Sequence, residues 1–215
     1  MVLWNASWFW SIKECFNEFP DAHLEEQVVG FNTYYLLGLA FYSQALFAII
    51  FIDEKTKDFK ELVIHHVCTI LLISISKISS AHRIGSLILL LHDFVDIFLY
   101  SAKSANEVNY KGFADFLFVM FAVSFFALRL VFFPYLTWSW ATNDHKAYYP
   151  SSWYVFQRVN DVHSFFQADS FGICVGGYCF STYYFLLALL STLIVLNLYW
   201  YCFDPVLHPV FRSKP

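Results

Sequence analysis

The chain has 215 residues, of which 59% are hydrophobic and only 14% charged, against about 25% charged in soluble globular domains. Its formal charge of -4 is spread without basic blocks, and its 26 Phe, 14 Tyr and 7 Trp exceed what a soluble core of this size needs. The composition is that of an integral membrane protein and argues against nucleic acid as a partner.

Residues 1–30 read as a lumenal N-terminal segment. Met1 to Trp10 lacks the basic and apolar regions of a secretory signal, so the first span is expected to serve as the anchor. Asn5-Ala6-Ser7 is a glycosylation sequon on that side. Five apolar segments follow, at 31–52, 62–79, 84–103, 113–136 and 178–203, each near the ~20 residues a span needs. The first four are joined by short links, Asp53–Glu61, Ser80–Arg83 and Ser104–Gly112, which force sequential helices to lie antiparallel and adjacent. The expected fold class is therefore all-α, an integral membrane bundle of about five to six transmembrane helices.

In this reading residues 31–136 form the catalytic helices, 137–177 a lumenal loop, and 178–215 the last span with a short cytosolic tail. Within the loop, Trp153–Phe166 is expected as an interfacial helix or as the start of a sixth span that breaks. Arg158, Asn160, Asp161 and His163 oppose lipid exposure there. Lys55, Lys57, Lys60, Lys103, Lys111, Arg212 and Lys214 fall on one side if the N-terminus is lumenal, which makes that side cytosolic. The five cysteines show neither CxxC nor zinc spacing. Cys174 and Cys179 are expected on the lumenal side, as a disulfide or as free thiols.

Two polar clusters stand out inside apolar segments. His65-His66 opens the second, and His92-Asp93-Phe94-Val95-Asp96 lies within the third. Such groups are expensive in hydrocarbon and are functional by default. Counting 1.5 Å per residue puts His65 about 5 Å inside the cytosolic end of its span, with Asp96 about 10 Å and Asp93 about 15 Å from the corresponding end of theirs. On adjacent antiparallel helices these depths are comparable, so the clusters are expected within side-chain reach. His92 and Asp96 are i,i+4, Asp93 and Asp96 are i,i+3, and Tyr100 and Lys103 continue the stripe. His65 and Thr69 form a second i,i+4 pair.

Imidazole can act as a base or as a nucleophile that accepts an acyl group, with a carboxylate to orient it. An amine attacking a thioester needs one such base, close to the face where a coenzyme A head group docks. The rival chemistry is a metal site, since His and Asp are also ligands. The HxxH and HxxHH spacings of membrane di-iron enzymes do not occur here, so no metal is assigned.

Asp58-Phe59, Leu62 to Thr69 with its double histidine, Arg83-Ile84-Gly85 and Leu91-His92-Asp93-Phe94-Val95-Asp96 together resemble the Lag1 motif of ceramide synthases, within the broader TLC-domain superfamily. The resemblance continues through Ala102 to Asn106, Phe116 to Phe121, Arg129-Leu130, Phe133-Pro134 and Tyr149 to Trp153, and upstream through Trp8-Phe9-Trp10, Cys15 and Pro20. It implies an endoplasmic-reticulum enzyme that joins an acyl-CoA to the amine of a sphingoid base, needing no cofactor beyond that co-substrate. It implies His65, His66, Asp93 and Asp96 as catalytic residues; His92 joins them by its place in the cluster, and Thr69, Tyr100, Lys103, Asn106 and Arg129 are expected to contact substrate. Of the histidine pair, His65 is the first choice as acyl carrier or base, because it shares a face with Thr69.

The chain departs from that family in three places. The family pattern places at least one further span before Trp8, so a missing wall is expected to come from a partner, as a homo- or hetero-dimer with another synthase. Polar and glycine-bearing residues intervene between Phe156 and Tyr178, and the basic stretch after the first span is thinned to Asp53 through Phe59. A truncated isoform and a non-catalytic lipid-binding or regulatory protein are the alternative readings. Arg129, deep in the fourth span, is expected to pair with Asp93, Asp96 or a thioester oxygen. Lys103 is expected at the cytosolic mouth, to receive a CoA phosphate or to snorkel.

Overall fold

The computed structural model describes residues 30–55, 57–78, 81–142, 156–158, 166–168, 172–175 and 178–203. The Asn5 sequon, the Trp8–Trp10 stretch, Cys15, Pro20 and Tyr149–Trp153 lie outside the described residues. Helices run over Phe31–Phe51 (α1), Phe59–Ile78 (α2), His82–Glu107 (α3), Lys111–Ser124 (α4), Phe133–Thr142 (α5) and Thr182–Phe203 (α6). Between α4 and α5 the chain winds as a π-helix over Phe125–Phe132, so that 111–142 is one continuous rod. Counting that rod once, five helices among the described residues are long and apolar enough to cross a membrane.

Two compact units are distinguished, residues 1–87 with 140–192 and residues 88–139 with 193–215. In the first, α1 packs along α2. The Tyr35 hydroxyl and Ser76 Oγ lie 2.7 Å apart, and Gly85 lies against the pair, where an added Cβ would overlap the Tyr35 hydroxyl and approach Ser76 Oγ to 3.0 Å. Glycine is required here by close approach, since its backbone is ordinary helix. Elsewhere in this unit the Trp140 and Tyr183 rings meet at 5.1 Å.

The second unit is built on a core of Val95, Phe121 and Phe125, against which Phe98, Leu99, Phe118, Leu128 and Trp200 pack. The reversal from α3 into α4 has an explicit cause. Asn109 takes a left-handed φ of 62°. The Asn109 N–H donates to the Asn106 carbonyl at 3.0 Å and the Tyr110 N–H to the Ala105 carbonyl at 2.9 Å. This is the paired-bond stop that asparagine tolerates after a helix. The π-helical stretch has one too: Pro134 lacks an N–H and its ring crowds the carbonyl four residues back, so the turns before it widen.

Phe156–Arg158, Phe166–Ala168, Gly172–Val175 and Tyr178–Ser181 form a four-stranded antiparallel sheet, β1 to β4, ordered β1-β4-β3-β2. Of the segment Trp153–Phe166, expected as an interfacial helix or a sixth span that breaks, the described residues are strand, Phe156–Arg158 pairing with Tyr178–Phe180 and Phe166 with Val175; the others lie outside the described residues. The sheet also moves the start of the last span from 178 to Thr182. Val175 pairs with Tyr178, and the sequence between them is Gly176-Gly177. Two glycines between β-prone residues favour a two-residue turn. Cys174 and Cys179 sit opposite one another in that register.

Candidate active site

His65, His66 and Thr69 belong to the first unit, and His92, Asp93, Asp96, Tyr100, Lys103, Asn106 and Arg129 to the second. On α2, His65 is buried and His66 half-buried. Their rings stand edge to face at 5.4 Å. His66 Nδ1 lies 2.8 Å from the Leu62 carbonyl. A carbonyl only accepts, so Nδ1 carries the proton and Nε2 keeps the lone pair. The Tyr42 ring packs on His66 at 5.9 Å. Thr69 Oγ1 donates to the His65 backbone carbonyl at 2.8 Å, so the hydroxyl proton is committed within its own helix.

In the second unit, His92, Asp96 and Arg129 converge. Arg129 is buried, at 6% exposure, in the middle of the π-helical stretch. Its Nη2 donates to Asp96 Oδ1 at 2.6 Å and to the His92 carbonyl at 2.9 Å, while its guanidinium lies 5.3 Å from the Phe125 ring centre. Arg129 is bonded to Asp96, one of the carboxylates the sequence offered. A buried cation needs such a partner, and wide π turns are frequent where a side chain is re-aimed at a functional site. His92 is buried, its Nδ1 directed at the Ile88 carbonyl at 2.8 Å. The same rule puts the proton on Nδ1 and the lone pair on Nε2. Phe133 meets the His92 ring edge to face at 5.0 Å. Asp93 is half-buried.

The remaining candidates lie at the open end of α3. Tyr100 is 57% exposed, Lys103 and Asn106 are exposed, and the Lys103 ammonium stands 5.9 Å from the Tyr100 ring centre. Tyr100, one helical turn beyond Asp96, lies within electrostatic reach of both Asp96 and Arg129. Among the described residues no group of three or more His, Cys, Asp or Glu is placed to hold a metal ion. One further polar residue, Asn197, is fully buried within α6. It lies outside the residues the motif points to, and its signal was plain: a carboxamide in an otherwise apolar span.

A protein built this way is a multi-pass membrane protein that keeps imidazoles and carboxylates within helices whose outward faces, Leu36, Leu37, Phe116 and Phe126 among them, are apolar. The profile of the TLC domain shared by TRAM, LAG1 and CLN8 proteins matches residues 1–203, and the chain belongs to that family. It is 45% identical over 134 residues to ceramide synthase 4 of Bos taurus, covering 62% of this chain and 33% of the relative. It is 34% identical over 201 residues to ceramide synthase 4 of Mus musculus, covering 94% of this chain and 43% of the relative. With ceramide synthase LOH2 of Arabidopsis thaliana it shares 35% identity over 134 residues, 62% of this chain and 44% of the relative. The chain thus spans well under half the length of these curated relatives.

Proposed function

We propose that the protein is a sphingoid-base N-acyltransferase, which transfers the acyl group of an acyl-CoA to the amine of a long-chain base. The observation that carries this reading is the double histidine with His92-Asp93 and Asp96 inside apolar helices, in a chain similar over most of its length to a ceramide synthase. Burial supports His65 as the acyl carrier, because an acyl-imidazole is open to hydrolysis and water is excluded there. The imidazole attacks the thioester carbonyl, the C–S bond breaks, and the ring's N–H proton passes to the departing CoA thiolate. The amine then attacks the acyl-imidazole, the C–N bond to the ring breaks, and the amine proton passes by way of a basic nitrogen such as His66 Nε2 to the departing ring nitrogen. Asp93 and Asp96, on the helix that carries His92, keep negative charge beside that imidazole's own turn.

The reading places the protein in the endoplasmic-reticulum membrane, N-terminus lumenal and C-terminus cytosolic, since the lysines of short loops then face the cytosol. It takes Lys103 and Asn106, exposed at the end of α3, as contacts for the CoA head group, and Thr69, Tyr100 and Arg129 as further substrate-binding residues. A second copy or a longer synthase is the expected partner. Microsomes from cells lacking endogenous synthase and expressing this chain should convert labelled sphinganine and acyl-CoA to dihydroceramide. His65→Ala and Asp96→Asn should each lower that rate by at least about a hundredfold. Turnover that survives both substitutions refutes the catalytic assignment.

A further inference from the structure

Asn197 is fully buried, about 9 Å from the Phe203 end of α6. The other hydroxyl-bearing residues of the helix's middle satisfy themselves. Ser191 Oγ donates to the Leu187 carbonyl at 2.8 Å and Thr192 Oγ1 to the Ala188 carbonyl at 2.9 Å. Asn197 does not: among the described residues neither Nδ2 nor Oδ1 has a hydrogen-bond partner. A donor and an acceptor left unpaired in a dry interior are costly, and a native site that keeps them holds them for something. Their direction is set within the second unit. Trp200, three residues on and so on the same helix face, packs on the Val95, Phe121 and Phe125 cluster. Phe125 in turn carries the guanidinium of Arg129, which bonds Asp96.

We propose that Asn197 binds the polar head of the long-chain base, its Oδ1 accepting from the ammonium or a hydroxyl and its Nδ2 donating to a hydroxyl oxygen. The assignment rests on the N-acyltransferase reading for its choice of ligand. Of the two substrates, the acyl chain offers no polar atom and the thioester carbonyl only accepts. An amino-alcohol head offers a donor and an acceptor on neighbouring carbons, at the end of a chain that suits an apolar interior.

The test compares sphinganine with octadecylamine, which has the chain and the amine but no hydroxyl. Binding of each to the full chain in lipid nanodiscs is read by ligand-dependent thermal shift, for the wild type, Asn197→Leu and Asn197→Ser. Leucine matches the volume without the amide, and serine can turn its hydroxyl to the Leu193 carbonyl as Ser191 and Thr192 do at theirs. The wild type should prefer sphinganine about tenfold, the size of one buried hydrogen bond, and both variants should lose that preference while unfolding at or above the wild-type temperature. A folded variant that keeps the preference, a wild type that shows none, or failure of both variants to fold overturns the assignment. Dihydroceramide formation is followed on the same preparations. A preference for sphinganine without turnover refutes the enzymatic reading and leaves the Asn197 site standing, whereas turnover with a preference unmoved by the variants does the reverse.

Discussion

Arg129 and Asp96 meet at 2.6 Å, and the guanidinium nitrogen that makes this bond also donates to the His92 carbonyl at 2.9 Å. The acidic turn of α3 is thus clamped to the π-helical part of the following span by one side chain. The clamp fixes where the Asp96 carboxylate points, and it leaves one of its partners 29% exposed.

Removing the cation should therefore leave a partly buried carboxylate without its partner. Arg129→Ala is expected to cost about 3 kcal/mol, read as a lower thermal midpoint in detergent. Arg129→Lys should recover only part of this, because an ammonium lacks the planar fork. The double change Arg129→Leu with Asp96→Asn should be more stable than Arg129→Ala alone, since no charge is stranded. Equal stability of Arg129→Ala and the wild type would show that the pair contributes nothing.

Gly85→Ala should destabilise the first unit although alanine is the better helix former. The added methyl runs into the Tyr35 hydroxyl, which lies 2.7 Å from Ser76 Oγ. Overpacking of this kind costs about 1–3 kcal/mol. Tyr35→Phe, which deletes the obstructing oxygen, should restore part of the loss in the double variant. Thermal unfolding of the four proteins checks this, and additive effects would contradict the contact.

The rate should depend on pH with a definite sign. A histidine that attacks a carbonyl or takes an amine's proton must be neutral, so activity is present above its ionisation and lost below it. With imidazole near 6.5 in peptides, the fall is expected as one ionisation between about pH 5.5 and 7.5. Initial rates at saturating acyl-CoA across that range provide the check; a rate that rises on acidification would point to an imidazolium acid instead.

Much of this was legible in the sequence, for reasons that differ residue by residue. Five apolar runs follow from bilayer thickness, and the helix Phe31–Phe51 differs from the 31–52 run by one residue. His65, His92 and Asp96 were visible because such groups are rare at depth. That Arg129 bonds Asp96, among the candidates the sequence left open, was not, because hydrogen-bond register is not written in composition. The Gly176-Gly177 dipeptide is a readable turn signal in the sequence, but the polar residues around it drew the expectation toward an interfacial helix. The Thr69 hydroxyl donates to the His65 carbonyl, a local bond that helical threonines often make. Tyr35, Ser76 and Gly85 come from three helices, so no local pattern could announce their contact.

The claim that His65 carries the acyl group through a covalent intermediate is tested most directly by a single turnover. Purified protein is mixed with isotopically labelled acyl-CoA, freed of unreacted thioester, and then given sphinganine alone. We expect peptide mass spectrometry before the second addition to find the acyl group on His65, in a hydroxylamine-sensitive bond. After it, the label should leave the protein and appear in dihydroceramide. A protein that makes dihydroceramide in steady state yet carries no label after rapid quench, or whose label does not pass to the amine, contradicts it.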